Sequence, residues 1–411
     1  MRFLYTQLLR AALPLILLRL WWRGRREPGY RSGLRERLGW YDAEAREPGN
    51  WIWVHAVSVG EARAAAPLVR ALQQARPDHR ILMTCMTAAG RETLRQVYGE
   101  TVHAVFLPYD LPGAAQRFIE FFRPRLGIIV ETEMWPNLLA ACARNGIPVM
   151  LANARMSEKS ARGYARWEAL TGPGFRRLAA VLAQADADAA RLRSLGAPRV
   201  EVSGNLKFDV PPDAALVHAG RAWRERVGRP VLLLASTREG EEKLLIEALP
   251  EWDGRLLVVV VPRHPQRFDE VARWAQARRT QVELPGPQTR IYLGDTMGQM
   301  AFYYAACDVA VIGGSFQPLG GQNLIEALSA GAPVLAGPHM FNFAEATRLA
   351  VQAGAAVQAA DAAHAIREAL ALLSDAPARE RMALAGRKLV EAHRGATQRH
   401  VDACLALLAS G

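Results

Sequence analysis

Lysine is nearly missing from this 411-residue chain. Lys159, Lys207, Lys243 and Lys388 are the only four among 51 basic side chains. Cysteine is as scarce, and Cys85, Cys142, Cys307 and Cys404 form no C-x-x-C pair. That argues against a cysteine metal site and for a reducing compartment. The nine histidines show no H-x-x-x-H or similar spacing, so the sequence implies no bound metal. No G-x-G-x-x-G follows a first strand, which counts against a dinucleotide-dependent oxidoreductase. Internal repeats, low-complexity tracts and nucleic-acid-binding motifs are also lacking, and the last of these argues against a nucleic-acid partner. Long apolar runs are few. The longest uncharged stretch near the N-terminus, Ala11 to Leu18, falls short of the roughly 20 residues that a bilayer span needs.

What the chain does have is arginine, and it is unevenly placed. Residues 1–40 hold nine arginines (Arg2, Arg10, Arg19, Arg23, Arg25, Arg26, Arg31, Arg35, Arg37) against Glu27 and Glu36, which is +7 of the total +11. Trp21, Trp22 and Tyr30 lie within this cluster. Basic residues and aromatics beside an apolar segment point to an anionic membrane surface. No small-residue cleavage site follows, so residues 1–22 are expected to be an uncleaved anchor lying in or dipping into one leaflet. A single snorkelling span, kinked at Pro14, and a helix docked on the protein are the alternatives.

Past residue 50, apolar strand patterns alternate with helical ones. Strands are expected at Trp51–His55, Arg80–Thr84, Val102–Phe106, Leu126–Val130, Pro148–Ala152 and Ala180–Ala183. A second series is expected at Pro230–Ala235, Arg255–Val261, Thr280–Val282, Arg290–Leu293, Val309–Ile312 and Pro333–Ala336. The polar segment 208–228, with Pro211 and Pro212, reads as a linker. Such alternation argues for an α/β fold of two Rossmann-like domains facing a central cleft, with parallel sheets and ligands outside the strands' carboxyl ends. The expected spans are an anchor at 1–22, a first domain at 23–207, the linker, a second domain at 229–376, and helices at 377–411 that cross back to the first.

The motifs fall at those strand ends. HAVSVGE ends at Glu61, where an acidic first-turn residue is also explained by the helix dipole alone. ETEMWPN carries Glu131, Glu133, Trp135 and Asn137. NARMS carries Asn153, Arg155 and Ser157, and GNLKFD carries Lys207 and Asp209. Most informative is the run from Gly313 to Pro338, GGSFQPLGGQNLIEALSAGAPVLAGP. Its glycines allow close backbone approach, and the helix expected from about Gln322 to Ala330 would offer N–H groups to a phosphate. Glu326, one turn in, would accept hydrogen bonds from ribose hydroxyls. This combination resembles the nucleotide-sugar donor site of GT-B glycosyltransferases.

MRFLYTQLLR, RLWWRGR, HAVSVGE, LPYDLP, ETEMWPNL, NARMS, GNLKFD, VPRHPQRF, GDTMG, GGQNLIEAL and GPHMFNF occur in this order across essentially the whole chain. The series closely resembles the 3-deoxy-D-manno-octulosonate (Kdo) transferase family, whose members add Kdo to a lipid A precursor. The resemblance implies a GT-B fold, CMP-Kdo as donor, lipid A precursor as acceptor, no metal cofactor, and a place on the cytoplasmic face of the bacterial inner membrane. It implies Glu61 as catalytic base, with Glu131 and Lys207 stabilising the transition state. It places CMP on Pro262 and Arg263, on Met297, Gly298 and Gln299, and on Asn323, Leu324, Ile325 and Glu326. Gln299 departs from the family's usual Glu after the Met-Gly pair. Other classes consistent with such halves are a UDP-sugar transferase or epimerase, and a non-catalytic nucleotide-binding membrane protein.

Overall fold

A computed structural model describes residues 1–25, 27–42, 50–251 and 253–409. Arg26 of the basic cluster, residues 43–49 and residues 410–411, all inside the spans expected for the domains, lie outside the described residues, as does Trp252. The chain divides into two compact units, residues 1–210 with 394–411, and residues 211–393.

The first unit is built on a seven-stranded sheet: β1 (Asn50–His55), β2 (His79–Cys85), β3 (His103–Phe106), β4 (Leu126–Val130), β5 (Val149–Ala154), β6 (Ala180–Ala183) and β7 (Val200–Val202), in the order β3-β2-β1-β4-β5-β6-β7. All pairings are parallel. Parallel strands are covered on both faces, which is why LGIIV and WIWVH read as unbroken apolar runs. Side-chain alternation divides β1 between two cores. Trp51 and Trp53 pack with Phe118, Phe122 and Leu151 on one face, while Ile52 and Val54 pack with Leu68, Leu72 and Met83 on the other. The final helix, Ala396–Ala409, belongs to this unit and adds Val401 and Cys404 to the second core.

The second unit repeats the plan with β8 (Val231–Thr237), β9 (Leu257–Pro262), β10 (Ala277–Arg278), β11 (Ile291–Leu293), β12 (Val309–Ile312), β13 (Val334–Ala336) and β14 (Ala356–Gln358), in the order β10-β11-β9-β8-β12-β13-β14, again all parallel. Every residue of β8 and β9 is buried.

Several expectations need correction. Most of the segment expected as a linker is a helix, Ala214–Val227, opened by Asp213, whose Oδ1 accepts the N–H groups of Ala215 (2.9 Å) and Leu216 (3.1 Å). Its polar character is the exposed face of a packed helix: Trp223 is buried against Tyr292 and Phe302. The strand expected at Thr280–Val282 lies instead at Ala277–Arg278, because the Thr280 N–H and hydroxyl are both taken by Asp295, at 2.9 and 2.5 Å. The short strands β7 and β14 were not expected.

Residues Arg2–Arg23 form one continuous helix with Pro14 inside it, long and apolar enough by length and composition to cross a membrane. Its apolar residues are turned outward: Phe3 is 76% exposed and Leu15 70%. Thr6 is its one buried residue.

Candidate active site

At the carboxyl edge of the first sheet, β1 ends and Ser58 starts the helix Val59–Ala64. Glu61 occupies the third position of that helix. Its N–H donates to Ser58 Oγ (3.3 Å), and its own carboxylate accepts from Ser58 Oγ (3.0 Å) and the Val57 N–H (2.6 Å). This is a capping box, which satisfies helix-end N–H groups reciprocally. It also fixes the carboxylate at the strand end. Burial and the neighbouring Glu131 raise the Glu61 pKa above the ordinary carboxylate range.

Glu131 follows β4 directly and adopts φ +62°, a left-handed conformation uncommon outside glycine and sometimes stored at functional sites. Lys207 Nζ lies 3.2 Å from Glu131 Oε1, with both side chains largely covered. Glu133 is pushed up to about 7 by burial, then by Glu61 and Glu131. The structure thus brings Glu61, Glu131, Glu133 and Lys207 together, three carboxylates against one ammonium.

The supports of this cluster were mostly invisible in the sequence. His55 closes β1, fully buried, with Nδ1 2.8 Å from Thr84 Oγ1, and burial lowers its pKa to about 4, so it is neutral. It meets Trp135 edge-on, at 5.9 Å between ring centroids. Asn153, at φ +53°, gives its N–H to His400 Nε2 (2.8 Å) and accepts the Leu206 N–H at Oδ1 (3.0 Å). Lys207 sits on the turn Leu206–Asp209, and Asp209 accepts the N–H groups of Gly395 (2.8 Å) and Thr397 (2.5 Å). Asp209 is therefore a cap for the last helix. Ser157 likewise caps the helix Glu158–Arg166.

In the second unit, Pro262 ends β9 and Arg263 follows. The Arg263 N–H donates to Thr237 O (2.9 Å) and its Nε to Gln322 Oε1 (3.2 Å). Gln322 belongs to the glycine-rich loop after β12. A Cβ on Gly313 would stand 2.6 Å from Thr237 Cα, so only glycine allows that approach. The wholly buried Glu241 shapes the loop: its carboxylate accepts the N–H groups of Gly314 (2.6 Å), Phe316 (2.8 Å) and Arg238 (2.9 Å). Sequence reading missed Glu241, since an acid at a helix start is ordinary.

The helix after the loop runs Leu324–Ala330, shorter than expected at its start, because Asn323 is its cap and accepts the Ile325 N–H (3.1 Å). With seven residues its dipole is small, so individual N–H groups matter more than the axis. Leu324 and Ile325 are fully buried, whereas Glu326 is half-buried. Met297 is exposed and Gly298 has φ +75° in the segment after β11. The Gln299 side chain turns to Thr296 Oγ1 (3.0 Å) and Arg279 Nε (3.4 Å). Its carbonyl fills the acceptor role that a Glu would have there. Since β11, β9, β8 and β12 are consecutive in the sheet, these three segments share its carboxyl edge. Among the described residues, no three His, Cys, Asp or Glu side chains are grouped as a metal would require.

Two parallel-sheet units, one with clustered carboxylates and the other with a glycine-rich loop beside an arginine, define a glycosyltransferase of the GT-B type. Anabaena HepE in complex with UDP shares the fold, with a TM-score of 0.61 at 14% identity over 87% of this chain and 99% of that one. Residues 32–210 match the family model described as 3-deoxy-D-manno-octulosonic-acid transferase (kdotransferase), and residues 242–389 match glycosyl transferases group 1. The chain is 46% identical to 3-deoxy-D-manno-octulosonic acid transferase of Bordetella pertussis, over 98% of each chain. It is 37% identical to that of Haemophilus influenzae, over 98% of this chain and 97% of the relative. The chain belongs to the Kdo transferase family.

Proposed function

We propose that this Kdo transferase takes Kdo from CMP-Kdo and joins it to a sugar hydroxyl of a tetraacylated lipid A precursor (lipid IVA), with inversion and without a metal, in lipopolysaccharide core assembly. The observation that carries the reading is the grouping of Glu61, Glu131 and Lys207 in a chain of this family. A hydroxyl is a weak nucleophile and needs a base within reach. Glu61 takes its proton as the oxygen attacks the anomeric carbon. The bond from that carbon to the CMP phosphate oxygen breaks, and CMP leaves with the electron pair. Attack opposite the leaving group inverts the centre. CMP is already a stable anion, so no carboxylic acid has to protonate it, unlike a glycosidase leaving group. Arg263 and the N–H groups around Asn323 meet the phosphate, Glu326 the ribose, and Pro262, Met297, Gly298 and Gln299 the rest of CMP. Glu131, oriented by its ion pair with Lys207, steadies the developing oxocarbenium charge.

The acceptor carries phosphates and acyl chains. An apolar N-terminal helix with exposed Trp21 and Trp22, followed by arginines, suits a membrane containing it, which supports a place on the cytoplasmic face of the inner membrane. The test is to incubate purified protein with CMP-Kdo and lipid A precursor and resolve the products by mass, with and without excess EDTA. Products heavier by Kdo in both arms are expected, with the inverted anomer read from their NMR spectra. Loss of product in EDTA with recovery on adding a divalent ion would overturn the metal-free mechanism, and transfer from a UDP-sugar alone would overturn the donor.

A further inference from the structure

The buried residue of the exposed N-terminal helix touches a residue 131 positions away. Thr6 is 4% exposed; its hydroxyl donates to Arg2 O (2.9 Å) and accepts from Asn137 Nδ2 (3.1 Å). One residue earlier, the Tyr5 hydroxyl neighbours the Asp110 carboxylate, and the Arg2 charge acts on the same carboxylate. Asp110 and Asn137 are themselves 2% and 3% exposed. Asp110 accepts the N–H groups of Asn137 (3.0 Å) and Leu138 (2.8 Å), and its carbonyl accepts Asn137 Nδ2 (2.6 Å). It is thus the N-terminal cap of the helix Pro136–Arg144, although it lies in a different loop. A buried carboxylate needs its charge answered, and the first turn of the N-terminal helix supplies part of that answer.

The helix capped in this way begins where the 131–135 loop ends. That loop carries Glu131 and Glu133 and is held by β4 at one end and by the Asp110–Asn137 pair at the other. The left-handed Glu131 persists only if its surroundings over-determine it. A helix that served only as a membrane anchor would need no buried polar pair at its first turn. We propose that Tyr5 and Thr6 are positioning residues of the catalytic site: Thr6 completes the hydrogen bonding of Asn137 and Tyr5 the polar surroundings of Asp110, and together they hold the loop bearing Glu131 and Glu133, apart from anything the helix's exposed apolar face does at a membrane. The proposal rests on the reading of Glu61, Glu131 and Lys207 as the site.

The experiment uses full-length Thr6→Val, Tyr5→Phe and Thr6→Ser proteins with acceptor dispersed in detergent micelles, where membrane attachment plays no part. Thr6→Val is close in size and keeps the apolar face, and Tyr5→Phe removes a single hydroxyl. Both are expected to lower kcat at least fivefold while KM for CMP-Kdo and sedimentation with anionic vesicles stay as in the wild type. Thr6→Ser, which restores the hydroxyl, should recover kcat to within about twofold. Wild-type kcat in Thr6→Val and Tyr5→Phe beside an inactive Glu61→Gln would overturn the positioning role alone. A drop in vesicle binding that matched the drop in micelle activity would overturn it too, because Thr6 would then act through lipid. An active Glu61→Gln would bring down the site reading and this proposal together.

Discussion

Replacing Glu61 with Gln separates two explanations that the structure offers for one residue. Glu61 completes the capping box with Ser58 and also stands beside Glu131 and Glu133 with a raised pKa. Gln fills the same capping position nearly as well as Glu, because its carbonyl can still accept the Val57 N–H. The fold should therefore lose less than about 1 kcal/mol, the net worth of one hydrogen bond, and the melting temperature should hardly move. An amide cannot take a proton from the acceptor. Turnover should fall by roughly two to four orders of magnitude, the usual contribution of a general base, or about 2.7–5.5 kcal/mol of barrier. Affinity for CMP, measured by calorimetry, should be unchanged. The companion Glu61→Ala loses both cap and base, so it should add a stability loss of roughly 1 kcal/mol to the same loss of turnover. The reasoning is refuted if Glu61→Gln turns over at near the wild-type rate, or if turnover in the two variants follows melting temperature. Either result would leave Glu61 as a helix cap and nothing more.

The carboxylate cluster also sets the pH behaviour. A base must be deprotonated, so kcat/KM should fall on the acid side with a limb above the ordinary carboxylate range, and Glu131→Gln should move that limb to lower pH by removing the charge that raises Glu61. The Glu133 carboxyl, raised from 4.5 to about 7, contributes stability that is fully present below 4.5 and lost as pH rises through 7. Melting scans of Glu133→Gln across that window should accordingly fall less than those of the wild type, and parallel curves would show that Glu133 titrates elsewhere. For the donor site, Arg263→Ala, Asn323→Ala and Glu326→Ala should each weaken CMP binding, by a few kcal/mol at most for a lost charged hydrogen bond. Calorimetry giving wild-type affinity in all three would place the nucleotide on other residues.

How much of this was legible depended on whether a residue's reason was local. Runs such as LVVVV and VLLLA announce strands because both faces are covered. The three residues of β7 do not, since only Val200 is buried. The helix Ala214–Val227 was hidden by its polar face and by the Pro211-Pro212 pair before its cap. Glu61, Glu131 and Lys207 could be named from their motifs. The left-handed backbone at Glu131, Asn153 and Ser236 could not, since none is a glycine. Glu241 and Asp110 hold loops through N–H groups distant in sequence. An acid that caps someone else's helix looks, in a string of letters, like any acid on a surface.

The return of residues 394–409 to the first unit has a consequence for how the protein is made. Ala396, Val401 and Cys404 complete a core begun at Ile52 and Val54, and His400 is the acceptor for the buried Asn153 N–H. Translation delivers these pieces only after the second unit. At ~5–20 residues per second, residues 211–393 occupy the ribosome for on the order of ten seconds or more, while the first unit waits with one apolar face open. A nascent chain in that state, already carrying an apolar helix at its start, is a substrate for chaperones or for early membrane capture. A premature stop near residue 390 would spare the sequence of every residue assigned to chemistry and still leave Lys207 on an unsupported turn.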